Sequence, residues 1–123
     1  MTGHILLIED NAMNMELAEA ILEAAGHQVT SATTAEEGIE LAKHGGFDLI
    51  LMDIMLPGID GLEATRLLKQ DPATAGTPVL ALTAHALEEE RTEALSAGCD
   101  GYLTKPIDRS QMLETIDRQL NAA

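Results

Sequence analysis

Three carboxylates, two hydroxyls and an ammonium stand at corresponding places in this chain, each at the end of an apolar run. Glu9 and Asp10 follow "HILLI", Asp53 follows "LILM", Thr83 follows "VLAL", and Thr104 and Lys105 follow "GYL". A carboxylate at the end of a buried run loses solvation or takes up a proton unless something compensates it. Three together also repel one another. An all-oxygen cluster with room for water suits a hard divalent cation, Mg²⁺ before Ca²⁺ at cellular concentrations. Lys105 offers a mobile positive charge for a phosphoryl oxygen, and Thr83 offers a hydroxyl. Cation, carboxylate, ammonium and hydroxyl together make a phosphoryl-transfer site in which a carboxylate can act as nucleophile.

Such a site needs elements that bring these residues to one edge, and the hydrophobic pattern supplies them. Apolar runs at His4–Ile8, Gln28–Ala32, Asp48–Asp53, Val79–Thr83 and Tyr102–Thr104 read as five strands. Between and after them lie five helical stretches with apolar faces. The face is Leu17, Ala18, Ile21, Leu22 and Ala25 in the first, while Leu87, Arg91, Ala94 and Leu95 mark the fourth helix. In the fifth the face is Met112, Leu113, Ile116 and Leu120. Thr34 with Glu37 forms a capping-box pattern, as does Asp108 with Gln111, while Gly26, Gly45 and Gly98 stand where helices stop. Pro57, Gly58 and Gly61 break the chain after the third strand. Strict alternation implies parallel crossovers, and runs such as "LILM" suit a sheet covered on both faces. The expected fold is α/β: a flavodoxin-like, doubly wound parallel sheet of five strands in the order 2-1-3-4-5. In such a fold ligands sit beyond the carboxyl ends of the strands, where the residues above converge.

Composition narrows the function. The 123 residues fit one domain with a single boundary-free core, 46% hydrophobic but only 2% aromatic. With 21 acidic and 7 basic residues the net charge is −14, a field that repels nucleic acid and anionic membrane surfaces. One cysteine, Cys99, excludes an internal disulfide and fits a reducing compartment. No apolar run approaches the roughly 20 residues of a membrane span. A cytoplasmic protein, expected to be monomeric, follows.

The stretches "LLIEDN", "DLILMDIMLPGIDGLE", "PVLALTA" and "GYLTKPI", in this order and spacing, resemble the response-regulator receiver domain over essentially the whole chain. The resemblance implies a single receiver domain over residues 1–123 with no output domain. It implies a phosphoacceptor that assists its own phosphorylation and dephosphorylation rather than a turnover enzyme. Asp53 would take the phosphoryl group from a histidine kinase or histidine phosphotransfer protein. Asp10 and Asp53 would hold Mg²⁺ with the Met55 carbonyl, and Glu9 would act through water. Lys105, before a Pro106 peptide usually cis in this family, would bind the phosphoryl group. Thr83 and Tyr102 would be the switch pair that changes contact with a downstream protein target, around the fourth and fifth helices.

Other functions share some of these features. A receiver fragment of a hybrid histidine kinase or of a longer regulator carries the same residues. A phosphatase of the haloacid dehalogenase type also uses a strand-end Asp and Mg²⁺, but needs a second Asp where this chain has Met55. A flavin carrier needs a Gly-rich phosphate loop where this chain has "EDNAMN", and more aromatics than Phe47 and Tyr102. The dispersed His4, His27, His44 and His85 and the methionines read as packing or surface residues, and Cys99 as a small buried side chain.

Overall fold

The computed structural model describes residues 2–56, 58–84 and 88–121, with Glu88 and Glu90 described at the backbone only. Among them, strands β1 (His4–Ile8), β2 (Gln28–Ala32), β3 (Leu49–Asp53), β4 (Val79–Thr83) and β5 (Gly101–Thr104) alternate with five helices. These are α1 (Ala12–Ala24), α2 (Ala35–Lys43), α3 (Gly61–Gln70), α4 (Glu88–Ala97) and α5 (Arg109–Asn121). Every ladder is parallel and the strand order is β2-β1-β3-β4-β5, the flavodoxin-like arrangement expected from the alternation.

Strand alternation divides the core into two layers. Leu6, Ile8, Ile50, Met52, Val79 and Ala81 meet Ala35 and Ala42 of α2, Ala64 and Leu68 of α3 and Ala94 of α4. Ile5, Leu7, Leu49, Leu51, Leu80, Leu82 and Leu103 meet Ala18, Ile21 and Leu22 of α1 and Met112 and Ile116 of α5. Each large aliphatic side chain removed from water in this way contributes about 1.5–3 kcal/mol. Apolar residues of both strand registers are thus satisfied, which is why the strands read as continuous rather than alternating.

Side-chain oxygens start four of the helices, two of them, at Thr34 and Asp108, where the sequence signals them. Asn11 accepts from the Asn14 N–H at 3.0 Å, Thr34 from Glu37 at 3.1 Å, Asp60 from Glu63 at 2.9 Å and Asp108 from Gln111 at 3.1 Å. The Glu37 carboxylate closes its box on the Thr33 N–H, one residue earlier than the usual pattern. Gly26, at φ 94°, ends α1 in the left-handed conformation that glycine adopts without penalty.

Two strand boundaries and two helical leucines differ from the sequence expectation. Asp48 precedes β3 because its carboxylate is occupied, accepting the His4 N–H at 2.8 Å. β5 starts one residue earlier, at Gly101. Leu17 and Leu95 are 45% and 48% exposed. On α1 the buried stripe is Ala18, Ile21 and Leu22; on α4, among the described side chains, it is Ala94 and Ala97. Two alanines let α4 lie close to the sheet, so Leu95 falls outside the contact. Leu87, Pro57 and His85 lie outside the described residues.

Candidate functional site

The parallel sheet sets the ends of β1, β3, β4 and β5 side by side. The backbone of the residue after each strand is tied to its neighbour. Glu9 N–H donates to Ala32 O at 3.0 Å, Ile54 N–H to Leu82 O at 3.0 Å, and Lys105 N–H to Thr83 O at 2.7 Å. Rigid strand ends therefore aim Glu9, Asp53 and Lys105 at one point.

Carboxylate oxygens of Glu9, Asp10 and Asp53 lie within 4.8 Å of one another. Glu9 and Asp53 are each only 1% exposed, while Asp10 faces solvent. The Lys105 ammonium bridges the buried pair, 3.2 Å from Asp53 Oδ1 and 3.3 Å from Glu9 Oε1. Asn14 Nδ2 donates to Glu9 Oε1 at 3.0 Å, and the Met55 N–H donates to Asp53 Oδ1 at 3.1 Å. The Lys105–Pro106 peptide is cis. Three carboxylates facing one ammonium remain short of positive charge. That deficit and the all-oxygen donor set fit a hard divalent cation.

Burial, reinforced by the hydrogen bond and repulsion shared with Asp53, pushes Glu9 up to about 7 from an ordinary 4.5, although Asn14 and Lys105 oppose the shift. In metal-free protein the folded chain holds this proton to about pH 7, whereas the unfolded chain releases it near 4.5. The folded state binds more protons in that window. The Glu9 contribution to stability is therefore full below pH 4.5, falls as pH rises, and is lost above about 7. Urea unfolding without metal should show a loss of about 1–3 kcal/mol from this group between pH 5 and pH 8. Glu9→Gln should flatten the slope; an unchanged slope counts against the assignment.

Gly61 brings α3 against the end of β3. Its N–H donates to Ile54 O at 3.0 Å, and a Cβ at this position would run into the Asp53 carbonyl and stand 2.7 Å from Ile54 Cα. Both obstacles are backbone, so neither can rotate away. Gly61→Ala should cost about 1–3 kcal/mol, read as a lowered urea midpoint. A variant as stable as wild type would show that the loop yields freely.

The residues proposed from sequence fall into two groups. Glu9, Asp10, Asp53, Lys105 and the Met55 backbone come together; the Met55 side chain is 67% exposed. Thr83 and Tyr102 lie beside this cluster on β4 and β5. Tyr102 pairs in register with Ala81, and Thr83 with Thr104, so Tyr102 and Thr83 are diagonal neighbours on the α4 side of the sheet. Tyr102 also lines a groove of about 530 Å³ with Thr104, Gln111, Thr115 and Arg118. Asn14 and Gly61 were missed. Gly61 was legible as a turn but not as a close approach, and Asn14 carries no local signal. Cys99 is buried, its thiol donating to Thr65 Oγ1 at 3.8 Å and pushed up in pKa by burial, as a packing residue.

Fold and site together define a phosphoacceptor module, and comparison with known proteins agrees. The family model of the response regulator receiver domain matches residues 5–117, and the chain belongs to that family. It is 38% identical to the polar-differentiation response regulator DivK of Brucella ovis, over the full length of both chains. Among solved structures, it is 35% identical to the receiver domain of a sensor histidine kinase from Pseudomonas aeruginosa. That match has a TM-score of 0.92 over 99% of this chain and 100% of that one, and the structure holds a magnesium ion in its active-site cleft. The chemotaxis response regulator CheY4 of Vibrio cholerae is 26% identical, with a TM-score of 0.91 over 97% and 99% of the two chains. This is a two-component signalling module.

Proposed function

We propose that Asp53 accepts a phosphoryl group from the phosphohistidine of a histidine kinase or histidine phosphotransfer protein. The module then signals to a downstream protein by changed contacts. The observation that carries this reading is the Lys105 ammonium, shared at 3.2–3.3 Å between the buried carboxylates of Asp53 and Glu9. An Asp53 carboxylate oxygen forms the new bond to phosphorus as the phosphorus–nitrogen bond of the donor breaks, and the imidazole leaves as the neutral ring after protonation. Lys105 is placed to follow the phosphoryl oxygens, and the Met55 N–H keeps the Asp53 carboxylate oriented. Asp10, Asp53 and the Met55 carbonyl would hold Mg²⁺, with Glu9 acting through water. Bound there, the ion supplies the positive charge that three transferring oxygens need.

The reading treats residues 1–123 as one receiver unit, monomeric at rest and cytoplasmic. Among the described residues no helix is long and apolar enough to cross a membrane. Turnover of the haloacid dehalogenase kind is disfavoured because an exposed methionine, Met55, stands where that chemistry places its general acid.

Incubation with Mg²⁺ and acetyl phosphate should yield one acyl phosphate per chain, stable in acid and lost in base. A label lost in acid and kept in base would mark a phosphohistidine and contradict the reading. Direct ligation loses more than water-mediated ligation, so Asp10→Asn should weaken Mg²⁺ binding more than Glu9→Gln does. Amide NMR titration checks this order, and equal effects reject it.

A further inference from the structure

Arg91 projects from α4 over the ring of Tyr102, its Cζ 5.0 Å from the ring centroid. It lies three residues before Ala94, one of the buried alanines on the α4 face turned to the sheet. The ring packs against the core layer that contains Ala81, Ala94 and Cys99, and it also carries the guanidinium. Arg66, Lys69 and Lys105 pair with carboxylates. Among the described residues, Arg91 instead takes an aromatic face. A guanidinium prefers such a face because the ring quadrupole is negative there, and the planar groups stack.

We propose that Arg91 is a positioning residue that latches Tyr102 in the resting conformation and so sets how readily the switch turns. This rests on the reading of Asp53, Thr83 and Tyr102 above. If Tyr102 turns toward Thr83 on phosphorylation, the ring leaves the guanidinium and the contact is lost. Arg91 therefore stabilises only the resting state, and only such a differential contact moves a two-state balance. At an exposed site a contact of this kind is worth a factor of about 2 to 5 in that balance. By linkage, anything that binds the switched state better binds more tightly by the same factor once the latch is gone, provided the resting state dominates.

The test uses the full chain and beryllofluoride with Mg²⁺ as the phosphoryl mimic. Wild type is compared with Arg91→Met, which keeps the stem without the charge, and with Arg91→Lys, which keeps a cation. Arg91→Met should bind beryllofluoride about 2- to 5-fold more tightly, and Arg91→Lys should restore most of the wild-type value. Tyr102 is the only tyrosine, so ring-labelled tyrosine gives one set of NMR signals. In the resting protein without mimic, Arg91→Met should strengthen the cross-peak between that ring and the Thr83 methyl, and Arg91→Lys should not. Equal beryllofluoride affinities in wild type and Arg91→Met, with unchanged resting cross-peaks, overturn the latch. A wild type that does not bind beryllofluoride at all, or binds it equally after Asp53→Asn, overturns the phosphoacceptor reading instead. The resting cross-peaks then still decide the latch.

Discussion

Asp53→Asn should take no phosphoryl group from acetyl phosphate or from a phosphohistidine donor, with labelling reduced by more than about 100-fold. The amide is close in shape to the carboxylate and its oxygen can still accept the Met55 N–H, which donates to Asp53 Oδ1 at 3.1 Å in the native chain. What it lacks is a lone pair nucleophilic enough to form the acyl phosphate. Lys105 keeps a partner, because the Glu9 carboxylate remains 3.3 Å away. The fold should survive, and stability should not fall, since one of two adjoining buried carboxylates has been neutralised. Intact-protein mass spectrometry after incubation, with circular dichroism as the check on folding, gives both readings. Labelling of Asp53→Asn at the wild-type level would place the acceptor elsewhere.

The second large effect concerns the switch. Thr83→Ala should still accept phosphate at Asp53 but lose most of the phosphorylation-dependent gain in affinity for the protein target. A coupling of about 1–3 kcal/mol is typical for such systems, so the lost gain amounts to roughly 5- to 150-fold. Thr83 is buried at the end of β4, one residue beyond Leu82, which pairs in register with Asp53. It is therefore close enough in the sheet for its hydroxyl to respond to charge at Asp53. Tyr102, diagonal to it on β5 and lining the groove bounded by α4 and α5, would carry the change there. Tyr102→Ala should uncouple the same gain with less effect on labelling. Affinity for the target is measured with and without beryllofluoride. If both variants keep the full wild-type ratio, signalling runs through other residues.

Much of this arrangement was legible in the sequence because strand ends are set by hydrophobic period and parallel crossover, both of which are local. The runs "LILM" and "VLAL" gave β3 and β4, and the topology then carried Glu9, Asp53, Thr83 and Lys105 to one edge. Illegible features depend on distance in space rather than on period. Asn14 reaches Glu9 only because α1 starts directly after the strand-end acids. Gly61 matters because of the backbone opposite it, which no residue near it in sequence announces. The buried face of α4 was not legible because alanines decide its contact and leucine counts more in a hydrophobic pattern. Arg91 marked the fourth helix in the sequence, but its place over the Tyr102 ring depends on how α4 packs beside β5.

The most direct measurement is to phosphorylate the wild-type chain with Mg²⁺ and a phosphohistidine donor, trap the product with borohydride, and map the reduced residue by peptide mass spectrometry. The account predicts a single modified position, Asp53, formed only when Mg²⁺ is present. Reduction at Glu9 or Asp10, or a phosphoryl group recovered on a histidine, would contradict it.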